Sequence, residues 1–315
     1  MITFLLLLGG FVLLGVGGEI LVRGSVGAAR AAGVSPLLSG LVLVGFGTST
    51  PELVTSLTAA MQDAPGIAVG NVVGSNIANI LLILGVTGVI APIMLQPSVI
   101  RRDMIALAVA SAAGVIAVVA GFIDVWFGLV LVLLLAGYIV QAYLRERRLE
   151  DAAGAGEPRP KDWRSIGINI ALTAAGIALT VSGARMLVTG AIDLAEGLGV
   201  PDTVIGLTVV AVGTSLPELV ACVVAALRRH SDVALGNVIG SNIYNILGIL
   251  GVTAMVSPIR VPPEIARLDI WVMVAATAAL IAFMRTGGGL QRLESAGLLI
   301  GYVAYVGFLA MGGGT

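Results

Sequence analysis

The sequence predicts an all-α integral membrane protein of ten transmembrane helices, arranged as two inverted five-helix repeats. Three observations carry this expectation. Of the 315 residues, 58% are hydrophobic and only 11% charged, with a mean hydropathy of +1.06, more apolar surface than a water-soluble domain of this size requires. Ten stretches reach the roughly 20 apolar residues that a bilayer span needs. Polar motifs inside those stretches recur at a fixed offset of 166 residues.

The spans are expected at 2–29, 36–61, 66–91, 102–121, 124–144, 164–190, 202–227, 233–257, 268–285 and 293–312, with Pro, Gly and charged clusters between them. Forty-three glycines suit such helices, because small residues let them approach closely. The N-terminus lacks the basic stretch of a cleaved signal, so the first run reads as a retained span. Residues 145–163, Arg-Glu-Arg-Arg-Leu-Glu-Asp through Gly-Glu-Pro-Arg-Pro-Lys-Asp, form the one long polar gap. It reads as a flexible linker between a first repeat at 1–144 and a second at 164–315. With the N-terminus outside, fourteen Lys and Arg residues fall on the inner side and only Arg260 and Arg267 on the outer, while Arg185 snorkels from within a span. Both termini are therefore expected outside a cell (plasma or inner) membrane, with the linker cytoplasmic.

Two motifs organise the chain. Gly-Thr-Ser-Thr-Pro-Glu occupies residues 47–52 and Gly-Thr-Ser-Leu-Pro-Glu residues 213–218. The residues after them repeat as well. Gly70-Asn71-Val72-Val73-Gly74-Ser75-Asn76 matches Gly236-Asn237-Val238-Ile239-Gly240-Ser241-Asn242, and Ala91-Pro92-Ile93 matches Ser257-Pro258-Ile259. Five spans per half is an odd number, so the copies enter the membrane in opposite directions. That is the inverted repeat of secondary transporters, whose sites lie near the midplane at broken helices.

Thr48, Ser49 and Glu52 fall at helical spacing and are expected on one broad face, as are Thr214, Ser215 and Glu218. Pro51 and Pro217 remove backbone donors and free carbonyls that a cation can take up. Asn71, Ser75 and Asn79 form a polar stripe, copied as Asn237, Ser241 and Asn245. Gly70, Gly74, Gly236 and Gly240 are expected to pack closely on the Pro-Glu helices. Oxygen ligands with two carboxylates suit hard cations such as Ca²⁺ or Na⁺. A Ser, Thr or Asn in a membrane helix more often only bonds a neighbouring helix. A carboxylate at mid-span costs about 2.5–3.5 kcal/mol even on the lenient insertion scale, which marks Glu52 and Glu218 as functional. Glu19 and Arg23 read as an ion pair, Asp103 and Asp269 as interfacial caps, Cys222 as packing and His230 as part of a solvated turn. A single His and a single Cys leave no His-based metal site and no internal disulfide.

On these residues the chain resembles the cation/calcium exchanger superfamily, in its sodium/calcium exchanger branch. Gly-Thr-Ser-x-Pro-Glu followed by Gly-Asn-x-x-Gly-Ser-Asn, present twice, is similar to that family's two α-repeats. The proton/calcium branch usually carries Gly-Asn-x-x-Glu, where this chain has Gly-Ser-Asn. The resemblance implies four adjacent cation sites. Their ligands would be Thr48, Ser49, Glu52, Ser75 and Asn79 with Thr214, Ser215, Glu218, Ser241 and Asn245, plus the backbone carbonyls of Gly45 and Ala211. It also implies that Ca²⁺ and Na⁺ share the glutamates, and that spans one and six slide past a rigid core. Many family members have Asp where Asn245 stands, so this core is one potential negative charge short.

The expected function is secondary antiport of Na⁺ against Ca²⁺ by alternating access, electrogenic and K⁺-independent, with no enzymatic chemistry and no cofactor. The expected partners are the two ions and the lipid bilayer, without nucleic acid, and the chain is expected to act as a monomer. K⁺-dependent or H⁺-coupled calcium exchange stands as the alternative within transport. A cation channel is the alternative from another class, and a membrane scaffold would leave both glutamates unexplained.

Overall fold

In a computed structural model the chain is a bundle of α-helices; residues 2–94, 97–152, 162–197, 213, 215–286 and 289–311 are described. In chain order the helices are α1 (Ile2–Ala32), α2 (Pro36–Thr48), α3 (Thr50–Met61), α4 (Pro65–Ile90), α5 (Pro97–Val119) and α6 (Val125–Ala152). Then come α7 (Trp163–Gly197), α8 (Leu216–Leu227), α9 (Ser231–Val256), α10 (Ile265–Arg285) and α11 (Arg292–Ala310). Among the described residues eight helices are long and apolar enough to cross a membrane, nine if α2 and α3 count as one span; α8 is a shorter apolar helix. Most of the span expected at 202–227 lies outside the described residues. The expected linker is shorter than its polar composition implied, because α6 continues past Arg145 to Ala152.

Local sequence sets the helix ends. Pro36 opens α2 behind Ser35, whose hydroxyl accepts from the Leu38 N–H at 3.2 Å. Gln291 and Glu294 form a reciprocal capping box at the start of α11. The second span is not one continuous helix. Ser49 takes φ −82° and ψ 9°, Pro51 follows, and α2 and α3 meet at 43°, the kink expected where a proline cannot bond back to the preceding turn.

Glycines set how closely helices cross. Gly10, Gly17 and Gly24 of α1, seven residues apart, lie against the backbone of α7 near Gly183, Thr180 and Thr173. Gly176, Gly183 and Gly190 of α7 return the contact onto Leu21, Leu14 and Leu6. The two helices thus pack backbone to backbone as an antiparallel pair. Arg228, just past α8, bonds both carboxylate oxygens of Glu19 at 2.8 and 2.9 Å. The expected Glu19–Arg23 pair is present and shares that carboxylate.

Short strands follow the matched prolines. β1 (Ile93–Met94) pairs antiparallel with β4 (Gly289–Leu290), and β2 (Phe122–Ile123) with β3 (Ile259–Arg260). Each strand that follows a repeated proline therefore pairs with a segment from the other half of the chain. Ser111 and Thr277, 166 residues apart, meet each other at 3.4 Å. Asp103 and Asp269 are not interfacial caps. Asp103 is buried on α5, ion-paired with Arg102 at 2.6 Å and bonded by the Tyr138 hydroxyl at 2.9 Å. Asp269 accepts from Tyr305 at 2.8 Å.

Candidate cation site

The site lies where the α2–α3 break meets α8 and α9. Close approach of α2 and α9 builds it. A Cβ at Gly236 or Gly240 would strike the Leu37 or Leu41 carbonyl, and one at Gly40 the Val233 carbonyl. Gly45 in turn lies against the backbone of Asn237 and Ser241. This contact lets the Ser241 hydroxyl donate to the Gly45 carbonyl at 3.1 Å, and Thr48 Oγ1 approach Asn237 Oδ1 at 3.4 Å. The close packing expected of Gly236 and Gly240 is present. The region that would face Gly70 and Gly74 by the 166-residue offset, 203–211, lies outside the described residues.

The break at Ser49 means that Thr48, Ser49 and Glu52 are not carried on one straight helix. Thr48 Oγ1 donates to the Val44 carbonyl at 2.9 Å, while Ser49 Oγ reaches across to Glu218 Oε1 at 3.2 Å. Glu52 and Glu218, at 2% and 1% exposure, are as buried as the surrounding leucines. Oε2 of each has no hydrogen-bond partner among the described residues. Neither side-chain atom of Asn245 has one either. The Gly45 carbonyl is not an orphan, since it accepts from both the Ser49 N–H and Ser241. Ser75, Asn79, Ser215 and Ser241 are buried. Ser75 and Ser215 face a common cavity of about 220 Å³, walled on its far side by Tyr302 and Tyr305 of α11. Ala211 and Thr214 lie outside the described residues.

The backbone widens at the same places. Asn79 begins a π-helical segment, Asn79–Ile83, and Asn245 lies in another, Tyr244–Leu250. Such segments displace carbonyls from the regular ladder and often sit at functional sites. Among the described residues no three His, Cys, Asp or Glu side chains come together. A cation held here would use two carboxylates with hydroxyl, amide and carbonyl oxygens, the ligand set of Ca²⁺ and Na⁺. Leaving such buried acceptors unpaired costs several kcal/mol unless a ligand or proton satisfies them.

The stripe asparagines hold the site from behind, through one residue the sequence reading took as packing, Cys222, and one it did not single out, Ser56. Asn71 donates to the Glu52 carbonyl at 3.0 Å and to Ser56 Oγ at 2.8 Å. Asn237 does the same to the Glu218 carbonyl at 3.4 Å and to Cys222 Sγ at 3.1 Å. Ser56 and Cys222 bond the Ala68 and Ala234 carbonyls in turn. All of these pairs stand 166 apart, so the offset marks Cys222 as the counterpart of Ser56, a packing residue that anchors the glutamate helix.

The sodium/calcium exchanger protein family matches residues 2–144 and 168–311, nearly the whole chain in two stretches. The chain belongs to the sodium/calcium exchanger family. It is 35% identical to the putative antiporter CaxA of Alkalimonas amylolytica, covering 98% of both chains. It is 33% identical to the sodium/calcium exchanger MaX1 of Methanosarcina acetivorans, covering 97% of each. The solved sodium-calcium exchanger NCX_Mj, soaked with Na⁺ and no Ca²⁺, superposes with a TM-score of 0.86 at 32% identity over 98% of this chain and 99% of that one. This exchanger is therefore a multi-pass membrane antiporter of the cation/calcium kind and not an enzyme.

Proposed function

We propose that this exchanger moves Na⁺ against Ca²⁺ by alternating access, electrogenically and without K⁺. The observation that carries the reading is the pair of buried glutamates from the two halves of the chain, each with an oxygen that has no partner among the described residues, with Ser49 of the first motif bonding Glu218 of the second. Two carboxylates balance one Ca²⁺ or two Na⁺, so the ions compete. Thr48, Ser49, Glu52, Ser75 and Asn79 with Thr214, Ser215, Glu218, Ser241 and Asn245, and the Gly45 and Ala211 carbonyls, form the ligand set. Their neutral oxygens leave room for a further Na⁺, which would make exchange electrogenic. Asn245 keeps a third carboxylate out, and this favours K⁺-independence. MaX1 and NCX_Mj, by their names, exchange sodium and calcium, which supports the same cargo here.

The proposed architecture is ten spans in two inverted repeats, 1–144 and 164–315, with both termini outside and 145–163 cytoplasmic. The matched strand pairs, the Ser111–Thr277 contact and the two-stretch family match support the repeat. Spans one and six, packed through their glycines, move as one unit past the core. An empty core would carry two unpaired carboxylates through occlusion, so only ion-loaded states isomerise readily.

The test is Ca²⁺ uptake into proteoliposomes under separately imposed Na⁺, K⁺ and H⁺ gradients. Uptake should follow the Na⁺ gradient alone, rise with an inside-positive potential because more than two Na⁺ leave for each Ca²⁺ that enters, and vanish in Glu52→Gln and Glu218→Gln. Uptake unchanged in both variants, or steady current without counter-ion dependence, would sink the assignment.

A further inference from the structure

The cavity that Ser75 and Ser215 share runs from Ala78 and Tyr302 outward to Gly70 and Leu309, near the first turns of α4 and the last turn of α11. It therefore opens toward the side on which α11 ends. The inverted repeat places a related volume on the opposite side, toward the end of α6. By the offset of 166 its walls are Gly236, Ser241 and Ser49. By the offset of 167 that relates Tyr138 to Tyr305, Leu135 of α6 takes the place of Tyr302. There the halves differ, because the position matching Ala78 is Tyr244. Its ring stacks on Phe46 of α2, with centroids 4.4 Å apart and planes 22° apart. A Cβ on Gly248 would strike the same ring, and Leu135 lies beside it. The position matching Gly248 is Leu82. One repeat thus carries Ala and Leu four residues apart, and the other Tyr and Gly, so that large and small have changed places.

We infer that the Tyr244 ring is a plug on the linker side of the cation site, a positioning residue that keeps Ser49 and Ser241 closed to ions there until it leaves Phe46. The inference rests on the alternating-access reading above and adds which residue holds one side shut. An aromatic pair inside a helix bundle is most often packing alone. Three features argue for more here. The ring occupies the volume that stands open at the related place beside Ala78. It is carried by the residue next to Asn245, at the first position of the π-helical segment Tyr244–Leu250, where the helical ladder is already loosened. It also reaches from α9 to Phe46, the residue after the Gly45 carbonyl that accepts from Ser241. Parting the rings and parting the ligand-bearing helices are therefore one movement. A stacked aromatic pair weights such an equilibrium by about two- to tenfold. Ala78 has no ring to contribute, so the two sides of the exchanger are unequal by about that factor.

The test uses the full-length protein and a labelling reaction that needs no transport. Val306→Cys places a thiol on the open cavity, and Ile139→Cys places one at the related position of α6. The native Cys222 is fully buried, and the parent protein gives the background. A cationic methanethiosulfonate is reacted with each purified protein in detergent. Val306→Cys should react readily and Ile139→Cys slowly. Adding Tyr244→Ala should speed the Ile139→Cys reaction about two- to tenfold. Phe46→Leu should speed it as well, and Tyr244→Phe, which keeps the stack, should leave it unchanged. Ca²⁺ uptake into everted and right-side-out vesicles then reads the consequence. Tyr244→Ala should lower the Ca²⁺ half-saturation constant on the linker side and raise it on the other, a split that a general loss of packing would not produce. Equal labelling of Val306→Cys and Ile139→Cys with Tyr244 in place overturns the inference. So does an unchanged Ile139→Cys rate in monodisperse Tyr244→Ala and Phe46→Leu proteins. Uptake indifferent to Na⁺ would instead contradict the exchange reading, while the labelling still tests the plug.

Discussion

Glu52 and Glu218 are each held from behind as well as from the side. Asn71 and Asn237 bond their backbone carbonyls, Ser49 bonds Glu218 across the break, and one oxygen of each glutamate has no partner among the described residues. Replacing Ser49 with Ala removes a bond to a buried carboxylate, typically about 1.5–3 kcal/mol. It should lower apparent Ca²⁺ affinity about tenfold or more, measured by Ca²⁺-dependent uptake, while the protein stays folded. Asn245→Asp asks the opposite question. Both side-chain atoms of Asn245 are buried with no partner among the described residues, so if Asn245 belongs to the cage a carboxylate there would add a third negative charge to it. Calorimetric titration should show divalent affinity raised, by at least about tenfold if an effective dielectric near 20 holds, and transport slowed as release becomes harder. Unchanged affinity would place Asn245 outside the cluster.

At the scale of elements, the decisive contact is the crossing of α2 and α9. Gly240 sits where a Cβ would collide with the Leu41 carbonyl, while a Cβ on Gly297 of α11 meets nothing within 4 Å. Gly240→Ala should therefore destabilise the protein by about 1–3 kcal/mol through overpacking and part Ser241 from Gly45. Gly297→Ala should be close to neutral in a thermal-melt assay. A good deal of this was legible in the sequence. The repeated Gly-x-x-x-Gly spacing on 236–240 announced a close crossing, and the doubled Pro-Glu announced an interrupted helix. The bend itself was not, because helical spacing of Thr48 and Glu52 holds only if Ser49 continues the helix. Nor were the π-helical turns at Asn79 and Asn245, since no residue type marks where a helix widens. Asp103 read as a cap because it begins a span. Its burial comes from Tyr138, 35 residues on, which no local pattern connects to it.

Across the whole molecule, the offset of 166 proved more informative than any single motif. Applied throughout, it finds Ser56 with Cys222 and Ser111 with Thr277, and one residue further on Tyr138 with Tyr305. The ends of the molecule were less legible. Polar composition at 145–163 reads as linker, yet the helix propensity of Arg, Leu and Glu carries α6 to Ala152. One further expectation belongs to this scale. Protons and cations would compete for the same carboxylate oxygens, so Ca²⁺ binding should release protons and acid should inhibit. Transport measured from pH 8 down to 5 should fall steadily, and a flat profile would count against shared ligation.

The central claim is that Glu52 and Glu218 form one cage in which Na⁺ and Ca²⁺ exclude each other. Calorimetric Ca²⁺ titration of the purified protein at increasing Na⁺, with K⁺ holding ionic strength constant, tests it most directly. The account predicts that the apparent Ca²⁺ dissociation constant climbs with Na⁺ more steeply than first power, that K⁺ has no such effect, and that Glu52→Gln and Glu218→Gln each abolish the Ca²⁺ heat. A Ca²⁺ affinity indifferent to Na⁺, or retained in both variants, would contradict it.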